Sequence, residues 1–362
     1  VRSQMGQYDY SVRVFEFCLG VTGVTDRISL INTFLKKVGW DNADRRILAG
    51  DASNRSYDRL EDKTLGRAVL MNAPPTKGED TRPFLTITDW LHRSGLSAPK
   101  ILACDTENGF VLMEDFGDDL FARLCATDPS LEMSLYEAAI DALLALSEQK
   151  PPTNLMAYNS AIYLREAQLL TEWYLPAVIG YPTPAETLAE FNALITEACG
   201  NVLKQSHVTV LRDYHSENLI WLPERVGVTR VGLLDYQDAL VGHPAYDLVS
   251  LLEDARRDIS PELQHAMLKR YMAANDMDTV AFKAAYNVLG AQRNIKIIGI
   301  FARLCLRDKK KDYLKYMPRV WAYLQRDLSD PALNDLRSWV EQNVPKPTFS
   351  RQSQITRQMN AN

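Results

Sequence analysis

Three polar side chains near the middle of the chain have the types and the spacing that phosphoryl transfer needs. Asp213 and Asn218 lie five positions apart, and Asp235 follows the apolar run Val231 to Leu234. The transition state of this reaction spreads negative charge over oxygens, so it needs positioning and metal ions more than a covalent nucleophile. Asp213 could accept the proton of an attacking hydroxyl, while Asn218 and Asp235 could supply the hard oxygen ligands that Mg²⁺ prefers. We therefore predict a metal-assisted phosphotransferase centre.

This pair of residues also has a plain structural interpretation, because Asp and Asn often occupy turns and helix caps. The downstream context favours chemistry, since a charged residue that ends a buried strand usually has a function. Residues 218–221 and 231–234 predict two short strands, with a turn around Pro223 and Gly227 between them. Such a hairpin would set Asn218 beside Asp235.

The elements around this centre predict an α+β fold with two lobes. In the first lobe, strands are predicted at residues 46–49, 56–60, 67–71, 101–104 and 110–114, and helices at 26–38 and 83–94. From Leu120 onward the apolar spacing becomes helical, with helix starts indicated at Pro244, Pro261 and Asp278. We expect a protein-kinase-like arrangement in which a small mixed lobe with an antiparallel sheet (26–117) precedes a larger, mainly helical lobe (118–345).

The two ends of the chain carry weaker patterns. Residues 1–25 are predicted to be an extension without an assigned role, and residues 346–362 a loosely ordered polar tail.

Composition narrows the class of protein. The 362 residues carry a formal net charge of −5, which argues against a nucleic-acid partner, and no apolar run is long enough to span a bilayer. The five cysteines are scattered, without the close pairs of zinc sites or disulfide frameworks. These features predict a cytoplasmic protein without a nucleic-acid or membrane partner, and they leave the oligomeric state open.

Several segments resemble a known superfamily. Residues 211–222, Asp235 and the segment His243-Pro244-Ala245-Tyr246-Asp247-Leu248 are similar to the aminoglycoside phosphotransferase and choline kinase superfamily. Residues 48–53, 71–75 and 254–257 further resemble bacterial anomeric kinases that act on N-acetylmuramate and N-acetylglucosamine. The resemblance implies a kinase that uses ATP and Mg²⁺ to phosphorylate a sugar hydroxyl, with aminoglycoside or choline-type acceptors as the alternative.

The nucleotide is expected to bind to the small lobe and the connection between the lobes. Candidates are Gly50, Ala52 and Ser53 in a loop over the phosphates, Met113, Glu114 and Phe116 at the adenine, and Arg55 or Arg59 at the phosphates. The arginines are candidates because Met71 stands where the resemblance would place a lysine. The alternatives are weaker nucleotide binding and arginines that are merely solvated.

The acceptor is expected to bind to helical segments of the large lobe. Candidate substrate-binding residues are Tyr214, Arg165, Trp173, Arg256 and Asn294. The arginine pair Arg256-Arg257 favours an anionic sugar over a polycationic aminoglycoside. The resemblance implies that His215 and Asp247 brace the catalytic loop. Each helical candidate could instead belong to a solvated face or an interhelical ion pair.

Two other classes of function compete with a sugar kinase. Asp213, His215, Asp235 and His243 could serve a metal-dependent hydrolase. The missing lysine would also suit a nucleotide-binding pseudokinase, but the retention of Asp213 and both predicted metal ligands argues against that interpretation.

Overall fold

The computed structural model describes residues 26–50, 54–205, 207–274 and 278–361. In its amino-terminal part, a five-stranded antiparallel sheet has one helix on each face. The elements are α1 (Arg27–Lys37), β1 (Asp44–Gly50), β2 (Ser56–Asp62), β3 (Gly66–Asn72), α2 (Arg82–Arg93), β4 (Ile101–Asp105) and β5 (Phe110–Glu114). The strand order is β1-β2-β3-β5-β4.

The alternation of side chains along β3 explains why both faces of the sheet are covered. Ala68 and Leu70 pack with the apolar face of α1, whereas Val69 and Met71 belong to the core that α2 completes. Met71 is 1% exposed, so the position at which the resemblance places a lysine is part of the hydrophobic core.

The carboxy-terminal part is mainly helical, with two short pairs of β-strands. Its elements are α3 (Phe121–Thr127), α4 (Glu132–Ser147), α5 (Ser160–Ala167), α6 (Leu175–Ile179), α7 (Ala185–Val202), β6 (Val208–Val210), β7 (Leu219–Trp221), β8 (Val231–Leu233), β9 (Leu240–Gly242), α8 (Ala245–Leu252), α9 (Pro261–Ala274), α10 (Thr279–Leu306), α11 (Met317–Asp327), α12 (Asn334–Asn343) and α13 (Phe349–Ala361). A π-helix, Leu170–Tyr174, lies between α5 and α6. β6 pairs with β9 and β7 with β8, both antiparallel.

The long helix α10 runs through the core of this part and is buried along most of its length. Its start is capped as predicted, because the carboxylate of Asp278 accepts the N–H groups of Val280 and Ala281. None of the helices in the described ranges has the length and apolar character that a bilayer span requires.

The prediction of a loosely ordered tail after residue 346 was wrong. Residues Phe349–Ala361 form α13, in which Ile355 is fully buried. The side-chain amides of Gln354 and Gln358 each donate to the main-chain oxygen of Ala177 at 2.9 Å. That oxygen belongs to the last turn of α6, where carbonyl groups lack helical partners. The polar glutamines therefore attach α13 to α6, although their composition had suggested a loosely ordered tail. Residues 1–25, the predicted extension, lie outside the described residues.

The neutral imidazole of His243, before α8, leads to a prediction about acid stability. Nε2 lies 3.0 Å from Gln205 Oε1, and Nδ1 accepts the N–H of Ala245, so a second ring proton would disrupt this pattern. Burial, with a smaller contribution from His207, lowers the pKa of His243 from 6.5 to about 4. In the unfolded chain, His243 takes up its second ring proton at a higher pH than in the folded protein. We therefore expect the free energy of unfolding to decrease as the pH falls from about 6.5 to 4, by up to about 3 kcal/mol.

Denaturant titrations over this pH range test the role of His243. His243→Gln should weaken the pH dependence of the free energy of unfolding, whereas the exposed control His265→Gln should not change it. If both variants kept the dependence of the unmodified protein, His243 would not be its source.

Candidate active site

A cleft of about 1330 Å³ brings together residues of both parts of the molecule. Its walls include the connection after β5, the loop between β6 and β7, the segment after β8, and one face of α10. Asp213, Asn218 and Asp235 all line this cleft. The three side chains singled out from their spacing therefore face one space.

Two unusual backbone conformations position the aspartates. Arg212, next to Asp213, has φ 73°, and Asp235 itself has φ 56°. A left-handed conformation at a non-glycine residue costs on the order of 1–3 kcal/mol and persists only where surrounding contacts enforce it. The backbone thus bends sharply where each carboxylate must be aimed.

Asp247 makes the contacts that a brace of the catalytic loop requires. One carboxylate oxygen accepts the N–H of Leu211 at 2.6 Å and the other accepts the N–H of Arg212 at 2.8 Å. Ser250, one turn further along α8, donates to the carbonyl of Arg212 at 3.1 Å. Burial raises the pKa of Asp247 to about 7, although the two N–H groups act in the opposite direction. Helix α8 therefore fixes the strained residue just before Asp213.

Asn218 and Asp235 lie at adjoining ends of the β7–β8 hairpin. The N–H of Leu234 donates to the carbonyl of Asn218 at 3.0 Å, which extends the pairing of Leu219 with Leu233. The Asn218 Nδ2 group donates to the Asp213 carbonyl at 2.9 Å and lies 3.5 Å from Asp235 Oδ2. The Asp213 carbonyl orients the side-chain nitrogen of Asn218, so the side-chain oxygen of Asn218 stays available as a ligand. This donor set of amide and carboxylate oxygens fits Mg²⁺.

Asp213 lies among cations. Burial opposes its ionisation, but the positive charges of Lys296, Arg293 and Arg212 outweigh that effect and lower its pKa below the ordinary value. Arg212 and Lys296 also form ion pairs with Glu166. Asp213 is therefore ionised at neutral pH, as a proton acceptor must be.

His215 is neutral and contacts two other side chains of the cleft. Its Nε2 atom lies 3.2 Å from Arg256 Nη1 and 3.4 Å from Asn218 Nδ2, and both neighbours are donors. Nε2 must then accept, which leaves the ring proton on Nδ1. Burial is the main reason that the pKa of His215 falls to about 4. Arg256 lines the cleft and also pairs with Glu217 at 3.0 Å. The carboxylate of Glu217 therefore balances the positive charge of Arg256.

Lys296 is a cleft residue for which the sequence patterns predicted no role. Its ammonium lies 3.0 Å from Glu166 Oε2 and 3.3 Å from the Tyr246 hydroxyl. The sequence pattern that could have indicated a role is a lysine within the apolar run Ile295 to Ile298, because lysine is rarely buried without a partner. Its partner, Glu166, is 130 positions away in the chain and could not be identified from spacing.

Three residues predicted to bind the acceptor lie elsewhere, and those predictions were wrong. Tyr214 points into the core, where its hydroxyl donates to the carbonyl of Ala139 at 2.8 Å. Asn294 is fully buried and donates to Glu253 at 2.7 Å, on a different side of α10 from the cleft. Trp173 is half-buried against the core and does not line the cleft. Arg165, in contrast, does line it.

The connection after β5 forms the other end of the cleft, where the adenine was expected. Met113, Glu114 and Phe116 all line it. The carboxylate of Glu114 accepts from Arg225 at 2.6 Å, so that side chain supports the connection. A β-carbon on Gly232 would lie 2.8 Å from the Phe116 ring, which shows how closely β8 approaches this segment.

The two candidate phosphate-binding arginines have different surroundings. Arg59 pairs with Asp115 at 2.7 Å and Asp118 at 2.9 Å, and it does not line the cleft, so the prediction of a phosphate contact for Arg59 was wrong. Arg55 lines the cleft and pairs with Glu79 at 2.8 Å. Arg59 thus ties β2 to the connection between the lobes, and the phosphate contact of Arg55 stays a prediction.

One of the three residues predicted to form the loop over the phosphates lies within the described residues. Gly50 ends β1 and pairs with Ser56 of β2, whereas Ala52 and Ser53 lie outside the described residues. Their predicted contacts with phosphate stay predictions.

Replacing Arg55 tests whether it takes the place of the missing lysine. We expect Arg55→Met to raise the KM for ATP by roughly tenfold or more, because a hydrogen-bonded charge contributes about 1.5–3 kcal/mol. The control Arg67→Met removes an exposed arginine from the neighbouring strand β3 and should leave this KM unchanged. Steady-state kinetics at saturating acceptor would contradict the role if the two variants behaved alike.

A two-lobed fold whose cleft brings together the carboxylates of Asp213 and Asp235 and the amide of Asn218 is the arrangement of a phosphotransferase with a protein-kinase-like fold. Residues 44–282 match the profile of the phosphotransferase enzyme family. The chain belongs to this family.

Similar proteins support the same class. The chain is 39% identical over 351 residues to the N-acetylmuramate/N-acetylglucosamine kinase of Caulobacter vibrioides, covering 87% of this chain and 96% of that protein. It is 37% identical over 286 residues to the enzyme of the same name from Pseudomonas aeruginosa, covering 76% and 81%. The crystal structure of aminoglycoside phosphotransferase APH(2'')-Ib with ADP shares the fold, with a TM-score of 0.54, 16% identity and coverage of 82% of this chain and 96% of that chain.

Proposed function

We propose that this protein transfers the terminal phosphoryl group of ATP to the anomeric hydroxyl of N-acetylmuramate or N-acetylglucosamine. The observation that carries the proposal is the convergence of Asp213, Asn218 and Asp235 in one cleft. The sugar is suggested by the relatives named above, which match most of the chain.

The residues of the cleft can perform each part of this reaction. The acceptor hydroxyl donates a hydrogen bond to ionised Asp213, and the proton passes to this carboxylate as the new bond between oxygen and phosphorus forms. The bond between the γ-phosphorus and the ADP oxygen breaks, and ADP leaves. Asn218 and Asp235 would hold Mg²⁺, which neutralises phosphate charge when bound. Lys296 and Arg293 keep Asp213 deprotonated before the transfer.

The competing interpretation as a metal-dependent hydrolase has little support. His243 is bonded to Gln205 and Ala245 and does not line the cleft, so it cannot join Asp213 and Asp235 around one ion. The part of the chain that the structure describes contains no group of three or more His, Cys, Asp or Glu side chains arranged to hold a metal.

A coupled assay of ADP release tests the proposed reaction. The acceptors to compare are N-acetylmuramate, N-acetylglucosamine, choline, homoserine and an aminoglycoside. We expect turnover with at least one of the two sugars and a product whose ³¹P resonance couples to the anomeric proton. Turnover only with another acceptor would reject the sugar assignment, and no turnover with any of them would favour a pseudokinase.

A further inference from the structure

The segment that follows α8 contacts three consecutive residues of the catalytic loop. One carboxylate oxygen of Asp254 accepts the hydroxyl of Ser216 at 2.7 Å, and the other accepts the main-chain N–H of Arg256 at 2.9 Å. The guanidinium of Arg256 donates from Nη1 to His215 Nε2 at 3.2 Å. Its Nε atom pairs with the carboxylate of Glu217 at 3.0 Å. This segment therefore supports the loop immediately before the residue predicted to bind the metal.

Contacts with two helices hold the segment in place. The guanidinium of Arg257 pairs with Glu132 at the start of α4. Arg319 on α11 donates to the main-chain carbonyl of Ala255 at 2.9 Å. The backbone on both sides of Arg256 is thus attached to the core of the large lobe, and the direction of the Arg256 side chain is set by that attachment.

The contact with Arg256 decides which nitrogen of the His215 ring accepts hydrogen bonds. Arginine is always a donor and never an acceptor, so Nε2 must carry no proton. The ring proton then lies on Nδ1, which is buried and has no hydrogen-bond partner among the residues that the structure describes. Because a buried donor without a partner is unfavourable, the ring does not favour this tautomer by itself. Arg256 thus imposes it.

The tautomer of His215 in turn orients the side-chain amide of Asn218. The last torsion of an asparagine side chain is soft, and its oxygen and nitrogen have nearly the same size. The Nδ2 atom lies 2.9 Å from the Asp213 carbonyl and 3.4 Å from His215 Nε2, so two acceptors hold the nitrogen. A proton on Nε2 would attract the amide oxygen instead, and that oxygen would no longer be free to bind a metal ion.

We infer that Arg256 is a positioning residue for the metal site, which acts on Asn218 through His215. The inference rests on the proposed function, because it takes Asn218 as a ligand of Mg²⁺. The acceptor-binding role predicted from the sequence has a different consequence. If Arg256 held only the acceptor, its loss would weaken acceptor binding and leave metal binding unchanged.

Binding of Mn²⁺ to the protein with ADP tests the inference without turnover. Mn²⁺ accepts the same oxygen ligands as Mg²⁺, and the paramagnetic resonance signal of the free ion measures its binding. In Arg256→Met, we expect the dissociation constant of Mn²⁺ to rise by roughly tenfold or more, as when other residues that orient a metal ligand are lost. The affinity for ADP without metal should not change. The side chain of Arg256 is 29% exposed, so its replacement should not prevent folding.

Kinetics of the same variant separate the two roles of Arg256. The KM for the acceptor should stay within about threefold of its original value, because no contact with the acceptor is lost. The control Arg93→Met removes an arginine that pairs with Asp89 on α2, outside the cleft, and should change neither the KM nor the Mn²⁺ affinity. A raised KM for the acceptor with a normal Mn²⁺ affinity would assign Arg256 to the acceptor and overturn the inference.

His215→Leu removes the same contact from the other side. Leucine cannot accept from either donor, so this variant should weaken Mn²⁺ binding by a similar factor. The double variant with Arg256→Met should bind Mn²⁺ about as well as the weaker single variant, because the two substitutions remove one shared interaction. Losses that multiply in the double variant would show that Arg256 acts independently of His215 and would contradict the inference.

The Mn²⁺ titrations also distinguish failure of the inference from failure of the proposed function. A normal Mn²⁺ affinity in both single variants would reject the positioning role of Arg256 and leave the proposed function intact. If the unmodified protein with ADP bound no Mn²⁺, the metal-dependent reaction proposed above would fail, and the inference with it.

Discussion

Asp213→Asn is expected to lower kcat by roughly 100- to 10,000-fold, the usual contribution of a general base. Asparagine has nearly the shape of aspartate but cannot take the proton of the acceptor hydroxyl. The main-chain carbonyl of residue 213, which receives the Asn218 amide, is unchanged by the substitution. The KM for ATP should therefore stay within about threefold of its original value, because the lost interaction belongs to the transition state.

Steady-state kinetics with varied ATP and acceptor measure both quantities. The matched control Asp335→Asn removes the same charge from an exposed position on α12 and should leave both unchanged. A turnover near the normal value in Asp213→Asn would show that another group accepts the proton. A large rise in the KM for ATP would instead indicate that Asp213 acts mainly on the nucleotide.

Asp235→Asn is expected to impair both turnover and the use of magnesium. The Mg²⁺ concentration at half-maximal activity should rise by at least roughly tenfold, since one of the two proposed protein ligands loses its charge. The backbone should tolerate the change, because asparagine adopts the left-handed conformation found at residue 235 (φ 56°) more readily than most residues. A kinetic defect would then reflect lost ligation rather than a distorted loop.

Titration of activity with Mg²⁺ at fixed ATP tests this role. Asp238→Asn removes an equal charge from an exposed residue that also lines the cleft, so it controls for the general electrostatic effect. The increase in the Mg²⁺ requirement should be clearly smaller in that variant. Similar increases in both would assign the effect to the overall charge of the cleft and would remove Asp235 as a ligand.

Local patterns were sufficient to predict most of the secondary structure. The predicted strand at residues 67–71 is β3 (Gly66–Asn72), and the predicted helix at 83–94 is α2 (Arg82–Arg93). The hairpin that joins Asn218 and Asp235 was also predicted correctly, because its two strands and its turn lie within a short stretch of chain. The prediction for the segment after residue 346 was wrong because its glutamines bond to α6, which lies far away in the sequence.

The orientation of individual side chains was less predictable. Tyr214 and Asp213 are neighbours, yet one points into the core and the other into the cleft, and the left-handed conformation of Arg212 helps to set that direction. Arg59 pairs with Asp115, 56 positions away, and spacing within a strand cannot reveal such a partner. In a helix as buried as α10, apolar periodicity does not show which face meets the cleft.

By itself, the sequence determined the α+β architecture and singled out the three polar groups that meet in the cleft, because both depend on short-range spacing. Only the tertiary structure decided that Lys296 lies near Asp213 in the cleft and that Arg59 supports the connection between the lobes. Those assignments depend on contacts between residues distant in the chain. Burial and charge act through space, so they are fixed only when the helices and strands have packed together.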